Sequence, residues 1–274
     1  MVSQRITGVS MLAALIAIFV VVPAPVESQA QGQTYTPART KDGQPDLQGI
    51  WQAMNSANAD LEDHSPALDT PGGYGVVVGG RIPYLPAALE IKKKNFAARA
   101  TADPEKSCYL PGVPRINYMP FPFQILQFGD QVMIVYEYLG VTRSIYLTGQ
   151  HPDPEVIDFW MGDSRGRWDG NTLVVDVSNF NDLSWFDRAG NHHGYRLHVV
   201  ERFTRTGPDH ITYEATIEDP ETFSRPWTIR MPLYRRTEPN LRLLEYECFA
   251  YMEEEAAKRN LKLPWSQLEP LPQP

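Results

Sequence analysis

The sequence predicts a mainly β protein: a single antiparallel β-barrel or sandwich of about nine or ten strands, with a partly helical excursion and a short C-terminal helix. Three observations carry that expectation. Short runs rich in β-branched and aromatic residues follow one another from residue 123 to residue 248, the composition that suits a pleated surface. Turn signals separate them at Gly129-Asp130, Asp169-Gly170-Asn171, Gly207-Pro208-Asp209 and Glu238-Pro239-Asn240. The chain also carries 24 prolines in 274 residues, nearly double the usual share of about 5%. Proline breaks helix interiors, so a helical bundle is excluded. An apolar content of 42% excludes a wholly disordered chain. A formal net charge of −8 opposes nucleic-acid binding.

From the N-terminus, Arg5 precedes residues 11–22 (MLAALIAIFVVV), an apolar run of 12 residues. It is too short for a stable span, which needs about 20 residues. With Pro23 and Pro25 behind it and small residues at Ser28 and Ala30, it reads as an export signal over 1–30. No integral membrane segment is then expected in the mature chain. Residues 31–45 form a polar leader, and the β domain runs from 46 to 248. Its first strand is DLQGIWQ, residues 46–52. Residues 54–107 form an excursion rich in Gly, Pro and Asp, with a helix opened by Pro86 and running to about Ala100.

Nine further strands are expected at 123–128, 131–138, 142–147, 155–161, 172–178, 196–206, 210–218, 226–235 and 241–248. Residues 249–274 are expected to hold a short helix, over 252–260, and a proline-rich tail. Cys108 and Cys248 are the only cysteines. In an oxidising compartment they are expected to pair.

DGQPDLQGIW, CYLPGVPR, MGDSRGRWDGNTLVVDVSNFND, LHVVERF and LEYEC together resemble a widespread, uncharacterised family of secreted bacterial proteins. That resemblance implies export and no particular activity. Gly49-Ile50-Trp51 separately resembles the G-x-W opening of lipocalin-like barrels. It implies that Trp51 closes one barrel end beneath a basic residue from a late strand, with Arg242 as the candidate.

Strand alternation exposes unusual residues. Pairing the 196–206 and 210–218 strands, with Thr206 opposite His210, sets Arg202 against Glu214 and His198 against Glu218 on one face. Val199, Phe203 and Tyr213 share the other face, with Glu201 among them. Met133, Val135 and Glu137 share parity, as do Val141, Arg143 and Ile145, and Leu243, Glu245 and Glu247. Val132, Ile134, Tyr136 and Tyr138 make an equally apolar face on the 131–138 strand. Charges entering an apolar interior must pair, shift their pKa or meet a polar ligand. Arg143 with Glu137, Glu201 or Glu245 is therefore either a buried ion network or an acid–base site.

His192 and His193 are expected on a loop, where a histidine at a pocket rim serves as general acid or base. With His198 they match no zinc spacing, so no metal is expected. Asp163 and Arg165 are expected in a charged loop, either lining a rim or pairing within the fold.

The candidate catalytic residues are thus Glu201, Arg143, Glu137 and His193. The candidate ligand contacts are Asp163, Arg165, Tyr213, Phe203 and Glu245. No phosphate loop, nucleophile elbow or dinucleotide fingerprint occurs, so no cofactor is expected. Two functional classes follow. One is a cofactor-free acid–base enzyme (hydrolase, lyase or isomerase) acting on a small apolar or aromatic molecule. The other is a lipocalin-like binding protein without catalysis.

Overall fold

The computed structural model describes Met1 and residues 35–67 and 70–260. The expected signal run and the proline-rich tail lie outside the described residues. Nine strands close into one barrel in chain order. They are β1 (Gly49–Ala53), β2 (Phe123–Gln127), β3 (Gln131–Tyr136), β4 (Thr142–Tyr146), β5 (Asp163–Asp169), β6 (Thr172–Ser178), β7 (His198–Gly207), β8 (His210–Glu218) and β9 (Trp227–Arg235). Neighbours are antiparallel except β4 and β5, which run parallel and meet at Tyr146 and Arg165. A parallel pair needs a long crossover, and residues 147–162 supply it. β1 pairs with β9, Trp51 opposite Arg235, and leaves no open edge.

Helix α1 (Pro86–Ala102) forms within the excursion, with proline at its tolerated first turn. Helix α2 (Cys248–Lys258) follows the barrel. Among the described residues no helix is long and apolar enough to cross a membrane. Cys108 and Cys248 form a disulfide, as expected.

Alternation fills the interior. β7 turns Val199, Glu201, Phe203 and Arg205 inward, and β8 turns Ile211, Tyr213, Ala215 and Ile217 inward. The expected facing pairs form: Arg202 opposite Glu214, His198 opposite Glu218 and Phe203 opposite Tyr213. At the turn Gly207, not Thr206, pairs with His210, because a bulge between Arg205 and Gly207 absorbs one residue. The excursion contributes to the same core through Ala57, Leu61, Val77 and Ile82.

Four expectations are corrected. Residues 163–169, read as a charged loop, are strand β5. Its charges face outward, and Gly166 faces in where a Cβ would lie 2.7 Å from Ile145. A glycine at the core position hides the alternation. Residues 155–161 form no strand; only Phe159 bridges, to Phe180. Residues 241–248 form no strand either, because β1 and β9 already pair with each other. Finally, β3 buries Val132, Ile134 and Tyr136, so Met133, Val135 and Glu137 do not face the interior.

Trp51 is fully buried, and its indole donates to Leu47 O at 2.9 Å. Two guanidiniums lie over it, Arg205 at 5.7 Å and Arg235 at 5.9 Å from the ring. Arg242 is exposed and is not that partner. Gly49 is required here: its φ is +138°, and a Cβ would sit 3.2 Å from Arg235 Nε. At the opposite end Phe186, Phe223 and Trp227 pack against one another.

Candidate functional site

Three polar clusters sit on this frame. The first lies inside the barrel. Arg143 on β4 and Glu201 on β7 form a buried bidentate ion pair, through Nη1 at 3.2 Å and Nη2. Asn117 Nδ2 and Tyr213 OH each donate to Glu201 Oε1 at 2.8 Å. Tyr136 OH donates to Asn117 Oδ1 at 2.7 Å, and Arg143 Nε donates to Ser164 Oγ at 3.0 Å. Burial opposes the charge on Arg143, but the Glu201 carboxylate outweighs it and holds the guanidinium's pKa above its ordinary value. Burial, then the Glu201 charge, push Tyr213 up as well. Phe203 packs on the Tyr213 ring, centroids 4.9 Å apart. Both carboxylate oxygens of Glu201 are met by protein donors.

The other expected members of that cluster lie elsewhere. Glu137 Oε2 accepts from Leu244 N at 2.8 Å, which ties the segment leading to α2 against the barrel. Glu245 is exposed on an irregular stretch. Neither reaches the interior, because β3 takes the other parity and 241–248 is not a strand.

The second cluster lies on the outer wall of β5, β6 and β7. The 147–162 crossover carries His151 onto it. His151 Nδ1 lies 2.6 Å from Asp163 Oδ2, and Nε2 lies 3.0 Å from Asp176 Oδ1. Arg165 donates to both oxygens of Asp163, at 2.7 and 3.0 Å. His198 Nε2 reaches the same Asp176 oxygen at 3.1 Å, and its Nδ1 lies 3.9 Å from Glu218. The hydrogen bond to Asp176 is the main cause that raises the His198 pKa above the usual imidazole value. The same bond lowers Asp176.

Of these groups His151 and His198 border a cleft of about 610 Å³, within the size range of small-molecule sites; Asp163 and Arg165, expected as ligand contacts, do not line it. Pro152, Pro154 and Leu197 supply apolar wall; Tyr195, Ser178, Arg196 and Glu221 supply polar contacts. Tyr195 OH donates to Pro154 O at 2.8 Å, and Asn179 Nδ2 donates to Pro152 O at 3.1 Å, so the crossover is pinned as one side of the cleft.

The third cluster surrounds His193. It lies on a loop, as expected, and is buried. Its Nε2 lies 2.9 Å from Ser184 Oγ and its Nδ1 lies 3.0 Å from Gly194 O. Burial pushes its pKa down to about 4. It borders a cleft of about 420 Å³ together with His192, Asp182 and Glu221. Glu221 therefore stands between the two clefts.

Among the described residues no cluster of His, Cys, Asp and Glu has metal-binding geometry. His151, Asp176 and Ser178 were not legible as site residues. The available signal was Asp176, the one charge in the strand TLVVDVS. Its histidine partners come from a crossover and from a diagonal neighbour on β7. The fold and this outer cluster define the chain as a closed β-barrel with a histidine–carboxylate cleft on its wall. No family model and no curated protein matches the chain.

Proposed function

We propose that the chain is an exported small-molecule pocket protein that performs acid–base chemistry in the His151–His198 cleft. The observation that carries this reading is that two imidazoles lining a cleft of small-molecule size converge on one carboxylate, Asp176. His198 exchanges the proton, since imidazole is the side chain whose ordinary pKa falls in the working range and the hydrogen bond to Asp176 favours its protonated form. Asp176 orients it. Arg196 at the rim suits an anionic group, and Tyr195, Leu197 and the two prolines suit an apolar or aromatic body. Export is supported by the disulfide, which belongs to oxidising compartments. The Arg143–Glu201 network serves this reading as the rigid wall behind the strands that carry the cleft.

Binding without turnover is the second reading. It is favoured by His151, both of whose ring nitrogens are already engaged by carboxylates. The test is histidine NMR and mass spectrometry of the mature protein. Aromatic carboxylates such as benzoate are expected to shift the His198 ring resonance, and Asp176→Asn is expected to lower the His198 pKa and weaken that response with folding intact. A His198 signal indifferent to every aromatic acid tried, with no molecule retained on purification, overturns the proposal. Saturable binding with no chemical change of any retained ligand selects the second reading.

A further inference from the structure

Outside the His151–His198 cleft, the loop between β6 and β7 holds a second pair of reactive type. His193 Nδ1 faces the carbonyl of Gly194 at 3.0 Å. A carbonyl only accepts, so in the neutral ring Nδ1 carries the proton and Nε2 offers its lone pair. Ser184 Oγ lies 2.9 Å from that Nε2. Its hydroxyl therefore donates to the imidazole. This is the only serine hydroxyl bonded to a histidine among the described residues. A serine pointed at the unprotonated nitrogen of an imidazole whose other nitrogen is held by a third group is the arrangement of an activated nucleophile.

The surroundings support the pair. Phe186 and Phe180 flank the imidazole, with ring centroids at 5.2 and 6.0 Å. The CYLPGVPR loop passes beside the hydroxyl at Gly112, which has φ +74°; a Cβ there would stand 2.4 Å from Ser184 Oγ. Glycine alone lets the loop pack this closely on the hydroxyl. His193, the partner of Ser184, and Trp185 border the 420 Å³ cleft, whose apolar wall includes Ala87, Ala88 and Ile91.

We infer that Ser184 and His193 form a nucleophile–base pair for acyl transfer from small uncharged carboxylic esters. In the first step Ser184 Oγ bonds to the acyl carbon as its proton passes to His193 Nε2. The ester C–O bond breaks, and the leaving alkoxide takes that proton. In the second step a water molecule gives its proton to Nε2 and its oxygen to the acyl carbon. The Oγ–acyl bond breaks, and the proton returns to Oγ. The acid and the free serine result. Burial keeps the imidazole in its base form through the neutral range, since its pKa lies at about 4.

The test uses the mature protein and a fluorophosphonate probe, followed by peptide mass spectrometry. One adduct per chain is expected, on Ser184. Its rate of formation is expected to be flat above about pH 6, to halve near pH 4 and to fall about tenfold by about pH 3, following His193. Ser184→Ala is expected to abolish the adduct, and His193→Gln to slow it at least 100-fold, while the His198 response to aromatic acids stays as in the wild type. Circular dichroism checks that both variants fold; if either does not, the wild-type peptide map and pH profile decide. An unlabelled wild type, an adduct on another residue, or a rate that climbs with hydroxide concentration overturns the assignment.

Discussion

Glu201 shows how one carboxylate can be demanded by its surroundings. It is fully buried, and its charge is answered by Arg143, Asn117 and Tyr213. Removing one partner of a buried pair leaves the other unpaired, at a cost of about 3–5 kcal/mol. Glu201→Gln is therefore expected to lower the melting temperature by more than about 6 °C. That is the reverse of what an exposed pocket carboxylate would do. A melting temperature within two or three degrees of wild type, measured by calorimetry, would show that the pair is dispensable to the fold. His193 makes a different prediction. Its pKa is about 4 when folded, against about 6.5 unfolded. In that window the unfolded chain binds the extra proton, so stability falls as pH drops from about 6.5 toward 4. The full effect is on the order of 3 kcal/mol. Denaturant titrations of His193→Gln across that range are expected to show a flatter profile than wild type.

At the scale of elements, β5 is the strand whose residues least resemble one. Outward charges alternate with Ser164, Gly166 and Trp168, and the pattern is legible only once Gly166 is understood as a place of close packing. The entry to β5 depends on Gly162, with φ +65°. A Cβ there would lie 2.7 Å from Val177 and 2.8 Å from Phe180. Gly162→Ala is expected to destabilise by at least about 1 kcal/mol, read as a lower denaturation midpoint with unchanged slope. An unaffected midpoint would mean that the crossover adjusts there freely. The same crossover brings His151 to Asp163 and Asp176, so the cleft depends on how β5 is entered.

For the whole molecule, two closures act together. The β1–β9 pairing closes the sheet, and the Cys108–Cys248 disulfide closes the chain over a sequence separation of 140. Cross-links over long loops restrict the unfolded ensemble most, and losing such a bond commonly costs about 2–5 kcal/mol. Cys108→Ser with Cys248→Ser is expected to lose stability in that range with the barrel intact by far-UV circular dichroism. A variant as stable as wild type would show that residues 109–247 hold themselves without the link. The network beside it works in the same direction. Asp103 and Glu105 grip Arg115, and Glu105 also pairs with Arg188, which fixes the loop before Cys108 to the segment before β2 and to the β6–β7 loop.

The sequence by itself determined the β class, most of the strands, the 86–102 helix and the pairing of the two cysteines. These rest on local signals: alternation, turn residues, proline and the count of a rare residue. It also determined that Glu201 shares an apolar face with Val199, Phe203 and Tyr213, because the β7–β8 register admits one arrangement that keeps polar and apolar sides apart; which of Glu137, Glu201 and Glu245 meets Arg143 it left open. Tertiary structure alone decided the rest. Strand β5 stayed hidden because a glycine stood where an apolar residue would have marked the core. The absence of a strand at 241–248 followed from β1 reaching β9, a contact between residues nearly two hundred positions apart along the chain. The parity of β3 depended on its neighbours, since both of its faces are apolar. The outer cleft depended on a crossover that carries His151 to carboxylates on two strands, and the Ser184–His193 pair on a loop that folds back on itself. Periodicity reports which side of an element is apolar; only the packed chain sets which distant side chain lies beside it.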